Sequence, residues 1–153
     1  MTSPADAQAI ADLVREGMYS RDRAAQALGL AIESMSPGRA VLTMQVRADM
    51  LNGFDICHGG FITALADTAF AYACNSYNEL TVASGLAVDF IAPAREGEVL
   101  IASAQEAALT GRTGVYDVLV TNARGERIAI FRGRSYRVKG KPSVPGTQPL
   151  QAR

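Results

Sequence analysis

The sequence has no tryptophan, a single histidine and two cysteines, and its 153 residues carry no formal net charge. One histidine and two cysteines are too few for a typical four-ligand zinc site, so we expect no metal. A chain with zero net charge is a poor candidate for a nucleic-acid-binding protein. The phosphate-binding loop, the dinucleotide-binding glycine fingerprint and the nucleophile-elbow motif are all missing, which argues against the enzyme classes that depend on them.

Long apolar runs are also missing. The N-terminus has no basic segment leading into an apolar stretch, so it does not resemble a secretory signal. The longest nearly uncharged helical candidate, Phe61 to Cys74, is too short to span a bilayer and contains Asp67. If Cys57 and Cys74 lie on one helix they are roughly 25 Å apart, too far for a disulfide. We therefore expect a cytoplasmic protein with free thiols and no membrane association.

The balanced charge hides an asymmetry along the chain. Residues 1–111 hold 6 basic and 13 acidic side chains, a net of −7, whereas residues 112–153 hold 9 basic and 2 acidic, a net of +7. Such a division predicts that the C-terminal part faces an anion. Arg132 and Arg134 share one face of the last predicted strand, and Arg112 begins the neighbouring strand. Guanidinium groups and hydroxyls such as that of Ser135 bind phosphates, although a solvated strand face has the same pattern.

Hydrophobic periodicity predicts an α+β fold in one domain over residues 1–139. A helix over 61–74 is apolar on nearly every face, so we expect other structure to wrap it. Short turns predict that the last three strands are antiparallel neighbours, and the Gly/Pro-rich segment 140–153 is predicted to be disordered. The predicted elements are helices over 5–18, 21–28 and 61–74, a hairpin over 30–46, a loop over 48–60, and strands over 81–91, 98–108, 113–121 and 126–138.

Asp67 is the most informative side chain, because it is the only charged residue between Phe61 and Cys74. An unpaired carboxylate in a buried helix is costly and its pKa tends to rise. Carboxylates persist at such positions when they have a partner or a chemical role. One interpretation is a catalytic carboxylate. The other is a structural aspartate satisfied by a hydroxyl such as that of Thr68, or by a backbone group.

The start of this helix is a candidate for binding a carbonyl oxygen. A helix N-terminus has unpaired N–H groups and a partial positive charge, and the glycines in Cys57-His58-Gly59-Gly60 let a ligand approach the backbone closely. Such a site can hold an oxygen that becomes an oxyanion. The Asn52 amide, six residues before His58, could orient water or a carbonyl. The alternative interpretation is a pair of flexible turns and a hydrogen-bonded structural histidine.

Together these segments resemble the PaaI-type hotdog-fold thioesterases of phenylacetate degradation over nearly the whole chain. The resemblance rests on Met50–Gly53, Cys57–Gly60, Leu65–Ser76, Thr113–Asp117 and Phe131–Ser135. It implies a long central helix wrapped by a curved antiparallel sheet, with chains assembled as a dimer of hotdog dimers. It also implies hydrolysis of phenylacetyl-CoA or its ring-hydroxylated derivatives to the free acid and coenzyme A, with no cofactor beyond the coenzyme A of the substrate.

The same resemblance implies a role for each matching residue of the reacting centre. Asp67 matches the carboxylate that acts as general base or nucleophile. Gly59 and Gly60 match the amides that polarise the thioester carbonyl. Asn52 and His58 match residues that position the substrate or the attacking water.

The resemblance also implies contacts with the rest of the substrate. Ser84 looks like the hydroxyl that assists in related thioesterases. Arg112, Arg134 and Ser135 are implied contacts of the coenzyme A nucleotide and its phosphates. Phe54, together with Asp55, departs from the family pattern beside the active-site loop, and we expect Phe54 to shape the acyl pocket.

Two other functions fit the same fold. The first is an acyl-CoA-binding protein without catalysis, which would keep the arginines but would not need Asp67. The second is a thioesterase for another aryl or medium-chain acyl-CoA. Hotdog dehydratases typically use a histidine with an acidic partner in a different arrangement, so an aspartate within the helix argues against that class.

Overall fold

The elements of the fold follow the predicted order. A computed structural model describes residues 1–149. Helices α1 (Pro4–Tyr19) and α2 (Arg23–Ala27) precede the hairpin of β1 (Ala31–Ser36) and β2 (Arg39–Gln45). A short 3-10 turn at Ala48–Met50 leads to the long helix α3 (Gly59–Asn75). The remaining strands are β3 (Thr81–Phe90), β4 (Val99–Thr110), β5 (Thr113–Asn122) and β6 (Arg127–Arg137).

All six strands form one antiparallel sheet in the order β1-β2-β4-β5-β6-β3. The prediction that the last three strands are antiparallel neighbours is confirmed. β3 leaves its sequence neighbour and pairs with β6, so it lies at one edge of the sheet while β1 lies at the other. This position of β3 brings its last residues beside the start of α3.

Helix α3 packs across one face of the sheet and contacts all six of its strands. Alanines on the helix allow a close approach, and the ring of Phe70 packs against Tyr116 and Phe131 at centroid distances of 5.5 and 5.8 Å. Gly133 leaves space for that ring, since a Cβ there would lie 2.8 Å from it. Burying one such side chain stabilises the fold by about 1.5–3 kcal/mol. The predicted α+β hotdog arrangement is confirmed.

A helix must have about 20 apolar residues to span a membrane, so helix length tests the expectation that the chain does not cross one. The longest helix, α3, has 17 residues, and α1 has 16. Within residues 1–149, no helix combines the length and apolar character that a membrane span requires.

The C-terminal segment differs from the predicted disorder. Residues after Gly140 run back along the end of α3, where Val144 N donates to Asn78 Oδ1 and the Ser143 hydroxyl donates to Asn75 Oδ1. Val144 also packs against Gly17 of α1. Asn75, the last residue of α3, and Asn78, three residues after it, thus hold a segment whose composition predicts disorder. Residues 150–153 of the predicted tail lie outside the described residues.

The contact between Gly17 and Val144 gives a test of tail packing. A Cβ at Gly17 would lie 2.7 Å from both Val144 methyl groups. We expect Gly17→Ala to lower the free energy of unfolding by about 1 kcal/mol, because overpacking outweighs the better helix propensity of alanine. Urea denaturation measures this change.

The matched control is the same substitution in a chain that ends at residue 139. There the methyl group meets no tail, and alanine should raise the free energy of unfolding by up to about 1 kcal/mol. A stabilising effect of the same size in both chains would show that the tail does not pack on α1 in solution.

Candidate active site

The first turn of α3 presents two amides with different partners. His58 caps the helix: its Nδ1 accepts a hydrogen bond from Gly60 N at 3.2 Å, and its carbonyl accepts one from Phe61 N at 3.0 Å. The Gly59 N–H donates to no atom within residues 1–149. Of the two predicted carbonyl-binding amides, that of Gly59 is open while that of Gly60 is bonded to the His58 imidazole. This arrangement agrees with the interpretation of His58 as a hydrogen-bonded structural residue.

The loop before α3 positions Asn52. Its side-chain Oδ1 accepts from Phe54 N at 2.9 Å and from Ile56 N at 3.4 Å, which closes a tight turn containing Asp55 at a φ of 58°. The backbone N–H of Asn52 donates to Ile56 O at 2.8 Å. Among the described residues, no acceptor binds the Nδ2 group of Asn52. The loop therefore fixes the side chain by its oxygen and leaves two N–H donors for a ligand.

An apolar groove of about 770 Å³ lies between this loop, the start of α3 and the end of β3. Asn52, Gly59 and Gly60 form its polar side. The opposite wall is apolar and consists of Val88, Phe90, Ile91, Ala92 and Pro93. The free Gly59 amide therefore opens directly onto a surface that suits an apolar group. A second cavity, of about 620 Å³, lies between α1 and β1 and contains none of the predicted site residues.

The carboxylate of Asp67 has no hydrogen bond or ion pair within residues 1–149. Thr68, the suggested structural partner, donates its hydroxyl to Ala64 O at 2.6 Å instead. The Thr63 hydroxyl similarly donates to Gly59 O at 2.8 Å. Burial raises the pKa of Asp67 above that of an ordinary aspartate. The structure thus has a half-buried, unsatisfied carboxylate on the helix. This favours the interpretation of Asp67 as a catalytic carboxylate over that of a structural aspartate with a hydrogen-bond partner.

Asp67 and the free amide are far apart on the same helix. Asp67 follows Gly59 by eight residues, which corresponds to about 12 Å along the helix axis. Groups that react together must be within roughly 3–3.5 Å. Asp67 is also not part of the groove wall. One chain therefore cannot bring its own carboxylate and its own Gly59 amide to the same carbonyl group.

The two cysteines offer no competing nucleophile. Both are buried and free, as the sequence predicted. Burial raises the pKa of Cys57 to about 11 and that of Cys74 to about 12, so both thiols are protonated at neutral pH. A protonated thiol is a poor nucleophile.

The predicted phosphate-binding arginines have different partners. Arg132 forms a two-pronged ion pair with Asp117, at 2.6 and 2.9 Å, and its charge is already neutralised. Arg112 donates to the Tyr136 hydroxyl at 3.1 Å. Arg134 is exposed, and its guanidinium group has no hydrogen bond or ion pair in the described part of the chain. Arg134 and Tyr136 are two residues apart on β6 and therefore share one face. Because Arg112 contacts Tyr136, Arg112 and Arg134 lie at the same end of the outer sheet face.

The two predicted serines do not join this cluster. Ser135 is only 1% exposed and its buried hydroxyl has no partner among residues 1–149. Consecutive strand residues point to opposite faces, so Ser135 points toward the core while Arg134 points outward. In this structure the Ser135 hydroxyl is therefore not on the face where Arg112 and Arg134 could contact the coenzyme A phosphates. Ser84 lies at a bulge in β3 and donates its hydroxyl to Arg134 O at 3.2 Å.

The aromatic residue of the groove is Phe90, not Phe54. Phe54 is 84% exposed and does not line the groove, so the single chain does not give it the predicted place in an acyl pocket. Phe90, which the sequence did not single out, forms part of the apolar wall. The alternation of Leu86, Val88 and Phe90 along β3 was the available signal, because it places all three on the helix side of the sheet.

Comparison with known proteins gives consistent results. A family model described as the thioesterase superfamily matches residues 54–129. The chain is 50% identical over 123 residues to the acyl-coenzyme A thioesterase PaaI of Escherichia coli K12, covering 80% of this chain and 88% of that protein. It is 37% identical over 136 residues to a putative esterase of Archaeoglobus fulgidus, covering 89% and 88%.

A solved structure agrees with these sequence matches. The structure of the E. coli PaaI protein from the phenylacetic acid degradation operon superimposes with a TM-score of 0.86 at 46% identity. The superposition covers 88% of this chain and 97% of that chain. The similarity therefore extends over most of the fold.

The unsatisfied carboxylate should lower stability at neutral pH. Because burial raises the folded-state pKa of Asp67, the folded state is penalised at every pH where that group is charged. We expect Asp67→Asn to raise the free energy of unfolding at pH 7. The gain should disappear as the pH falls below the unfolded-state pKa of about 3.9. Chemical denaturation of both proteins across this range measures the difference.

The matched control, Asp117→Asn, has the opposite sign. The Arg132 guanidinium lowers the pKa of Asp117, so this pair stabilises the fold at neutral pH and its contribution is lost in acid. Asp117→Asn should therefore be less stable than the parent at pH 7, by up to about 1 kcal/mol for an exposed pair. Loss of stability in Asp67→Asn at pH 7 would contradict an unsatisfied carboxylate.

Proposed function

The chain belongs to the PaaI-type acyl-CoA thioesterases of the thioesterase superfamily, and we propose that it hydrolyses phenylacetyl-CoA or ring-hydroxylated phenylacetyl-CoA. The observation that carries the proposal is the Asp67 carboxylate, which is half-buried and has no partner within residues 1–149. The open Gly59 amide beside an apolar groove supports it. The products are the free acid and coenzyme A.

Thioester hydrolysis needs an activated nucleophile and a site for one developing oxyanion. Asp67 supplies the first, either by taking a proton from water or by attacking the carbonyl carbon itself. The Gly59 N–H, at the positive end of α3, supplies the second. Losing one donor of this kind typically reduces the rate by about 10²–10³. The free Nδ2 group of Asn52 is placed to orient the carbonyl or the water, and these steps require no metal or redox cofactor.

The groove supports an aromatic acyl group. Its wall of Val88, Phe90, Ile91, Ala92 and Pro93 has no charged side chain, and it begins beside the amide that would hold the carbonyl oxygen. An acyl group bound there would bury its apolar surface. The E. coli relative comes from the phenylacetic acid degradation operon, and this similarity supports a phenylacetyl group as the acyl group that this chain releases.

The coenzyme A nucleotide requires a cationic surface. Arg134 is the candidate with a free guanidinium group in the described chain, and Arg112 lies near it on the outer sheet face. We assign the phosphate contacts to these two arginines. Arg132 is bound to Asp117 and Ser135 is buried, so neither is part of the assignment.

The active site is completed by a second copy of the chain. Asp67 and the Gly59 amide are about 12 Å apart on one helix, so one must come from each chain if both act on the same thioester. β3 offers the surface for pairing: one of its edges has no strand neighbour within residues 1–149, and Leu86, Phe90 and Ile91 are exposed along it. A two-fold dimer would contain two equivalent sites.

A second contact would join two such dimers. Leu119 and Ile130 are direct cross-strand partners and are 37% and 44% exposed on the outer sheet face. Large exposed apolar pairs on a sheet suit a protein interface. We propose that the assembly is a dimer of dimers, with this outer face between them.

Asp67→Asn tests the proposed chemistry directly. We expect kcat for phenylacetyl-CoA to fall by about 10²–10⁴ with a much smaller change in KM, because the carboxylate acts in the reaction rather than in binding. Release of free thiol measures turnover. Asp12→Asn, on the distant helix α1, is the control and should retain full activity.

The pH profile of the parent enzyme gives a second readout of the same group. A raised pKa at Asp67 should place the acidic limb of kcat/KM above the range of an ordinary aspartate. Unchanged turnover in folded Asp67→Asn would remove Asp67 from the mechanism. Saturable binding of coenzyme A without hydrolysis of any thioester would favour the non-catalytic alternative, and preference for benzoyl or medium-chain thioesters would favour another acyl group.

Mixed dimers test the shared site. A dimer of one Asp67→Asn chain and one Asn52→Ala chain contains one intact site, provided that Asp67 and Asn52 of each site come from different chains. Random mixing of two chains of equal expression should then restore about one quarter of parent activity. Thiol release by the unfractionated mixture, compared with an equal amount of parent protein, measures it. No gain over the separate variants would mean that each site is built from one chain.

A further inference from the structure

Phe90 stands at the junction of the acyl groove and the start of α3. Its backbone is fixed at the end of β3, where it pairs with Ala129, and the next residue, Ile91, donates to Ile128 O at 2.8 Å. Its side chain points to the helix side of the sheet. The ring is nevertheless 53% exposed, so the protein uses only part of its surface for packing.

The packed part of the ring touches Gly59. A Cβ built at Gly59 would lie 2.7 Å from Cζ of Phe90 and 3.1 and 3.2 Å from the two neighbouring ring carbons. The tip of the ring therefore occupies the space that any side chain at position 59 would need. The same glycine carries the open N–H of the helix start. Phe90 thus contacts the residue proposed to hold the thioester carbonyl.

We propose that Phe90 is a specificity-determining residue whose ring packs against the acyl group next to the reacting carbonyl, and this inference rests on the proposed thioesterase function. A carbonyl oxygen bound to Gly59 N lies about 2.7–3.1 Å from it. The first carbons of the acyl group then lie beside the ring tip that touches Gly59. An aromatic group one methylene away can reach the 4.5–7 Å centroid distance that ring pairs prefer.

Two simpler roles for Phe90 are possible and behave differently. As a structural cover of the helix start, or as a contact between chains, the ring would affect all substrates alike. As a contact of the acyl group, it would affect substrates according to the size and shape of that group. Selectivity among thioesters therefore separates contact with the acyl group from both simpler roles.

The test compares Phe90→Ala and Phe90→Leu with the parent enzyme on phenylacetyl-CoA, hexanoyl-CoA and acetyl-CoA. For Phe90→Ala we expect kcat/KM for phenylacetyl-CoA to fall at least about tenfold, from lost aromatic packing and apolar burial. Acetyl-CoA, whose methyl group barely reaches the ring, should change less than about threefold. Phe90→Leu should retain more activity on hexanoyl-CoA than on phenylacetyl-CoA.

The control is Leu86→Ala. Leu86 lies on the same strand and the same face, is 41% exposed and does not line the groove. Its removal should leave the ratio of phenylacetyl-CoA to acetyl-CoA turnover at the parent value. Equal losses on all three substrates in Phe90→Ala, or no loss on any, would overturn the proposal.

Gly59→Ala adds an independent measurement. The new methyl group must displace the ring, so it should reduce selectivity for phenylacetyl-CoA over acetyl-CoA. In the Phe90→Ala background it should not reduce that ratio further, because no ring remains to be displaced. If the double variant instead loses selectivity by the sum of the two single losses, the two substitutions do not act through the same ring, and the proposed contact is contradicted.

Failure of the proposed substrate is distinguishable from failure of this inference. If the parent enzyme prefers another bulky acyl group to phenylacetyl, the substrate assignment fails, and the same ratios are measured with that preferred group against acetyl-CoA. A Phe90→Ala enzyme that keeps the parent preference then overturns the inference by itself.

Discussion

The distance between two unpaired groups on α3 determines what the rest of the molecule must provide. The Gly59 amide and the Asp67 carboxylate are fixed to one helix about 12 Å apart. Between them, Ile62, Leu65 and Ala66 are buried, which fixes this part of the helix against the core, so the helix cannot bend to bring the two groups together. Both groups remain unsatisfied within the described chain. In the proposed dimer, the open edge of β3 and the exposed apolar residues along it are the surface through which a second copy would supply the missing group.

The fold supports these unsatisfied groups with well-packed surroundings. Around Phe70 the core contains three rings in contact, and the far end of α3 is held by Asn75 and Asn78 together with the C-terminal segment. At the near end, His58 satisfies one amide while the neighbouring amide stays open. Stabilising contacts are thus concentrated where no chemistry is proposed. This division is common at functional sites, where local stability is given up for reactivity.

Sequence patterns predicted the elements, their order and the isolated carboxylate on α3, because these depend on local periodicity and on single residues in unusual surroundings. Asp67 could be identified by its apolar neighbours alone. Strand alternation alone places Ser135 and Arg134 on opposite faces of the sheet, which the phosphate-binding character of the two side chains does not reveal. In contrast, the bond between Arg132 and Asp117 depends on the register of β5 and β6, which the sequence does not reveal.

The contacts that the sequence could not supply are those between distant segments. Gly59 and Phe90 are neighbours only because β3 crosses the sheet to pair with β6. Ser143 and Val144 of the C-terminal segment are held by the side chains of Asn75 and Asn78, and nothing in the local sequence around these asparagines indicates that contact. Phe54 stands beside the active-site loop in the sequence, which predicts a place in the acyl pocket, yet its side chain does not line the groove.

The contact between Phe90 and Gly59 also restricts how this protein can diverge. While the ring is present, a side chain at position 59 collides with it, so that position is held at glycine by its neighbour as well as by any ligand. Position 90 has no reciprocal restriction, since a smaller residue there leaves only empty space. Changes at the two positions therefore have a preferred order. A descendant that adapts to a different acyl group can first shorten residue 90, and only afterwards does the start of the helix become free to vary.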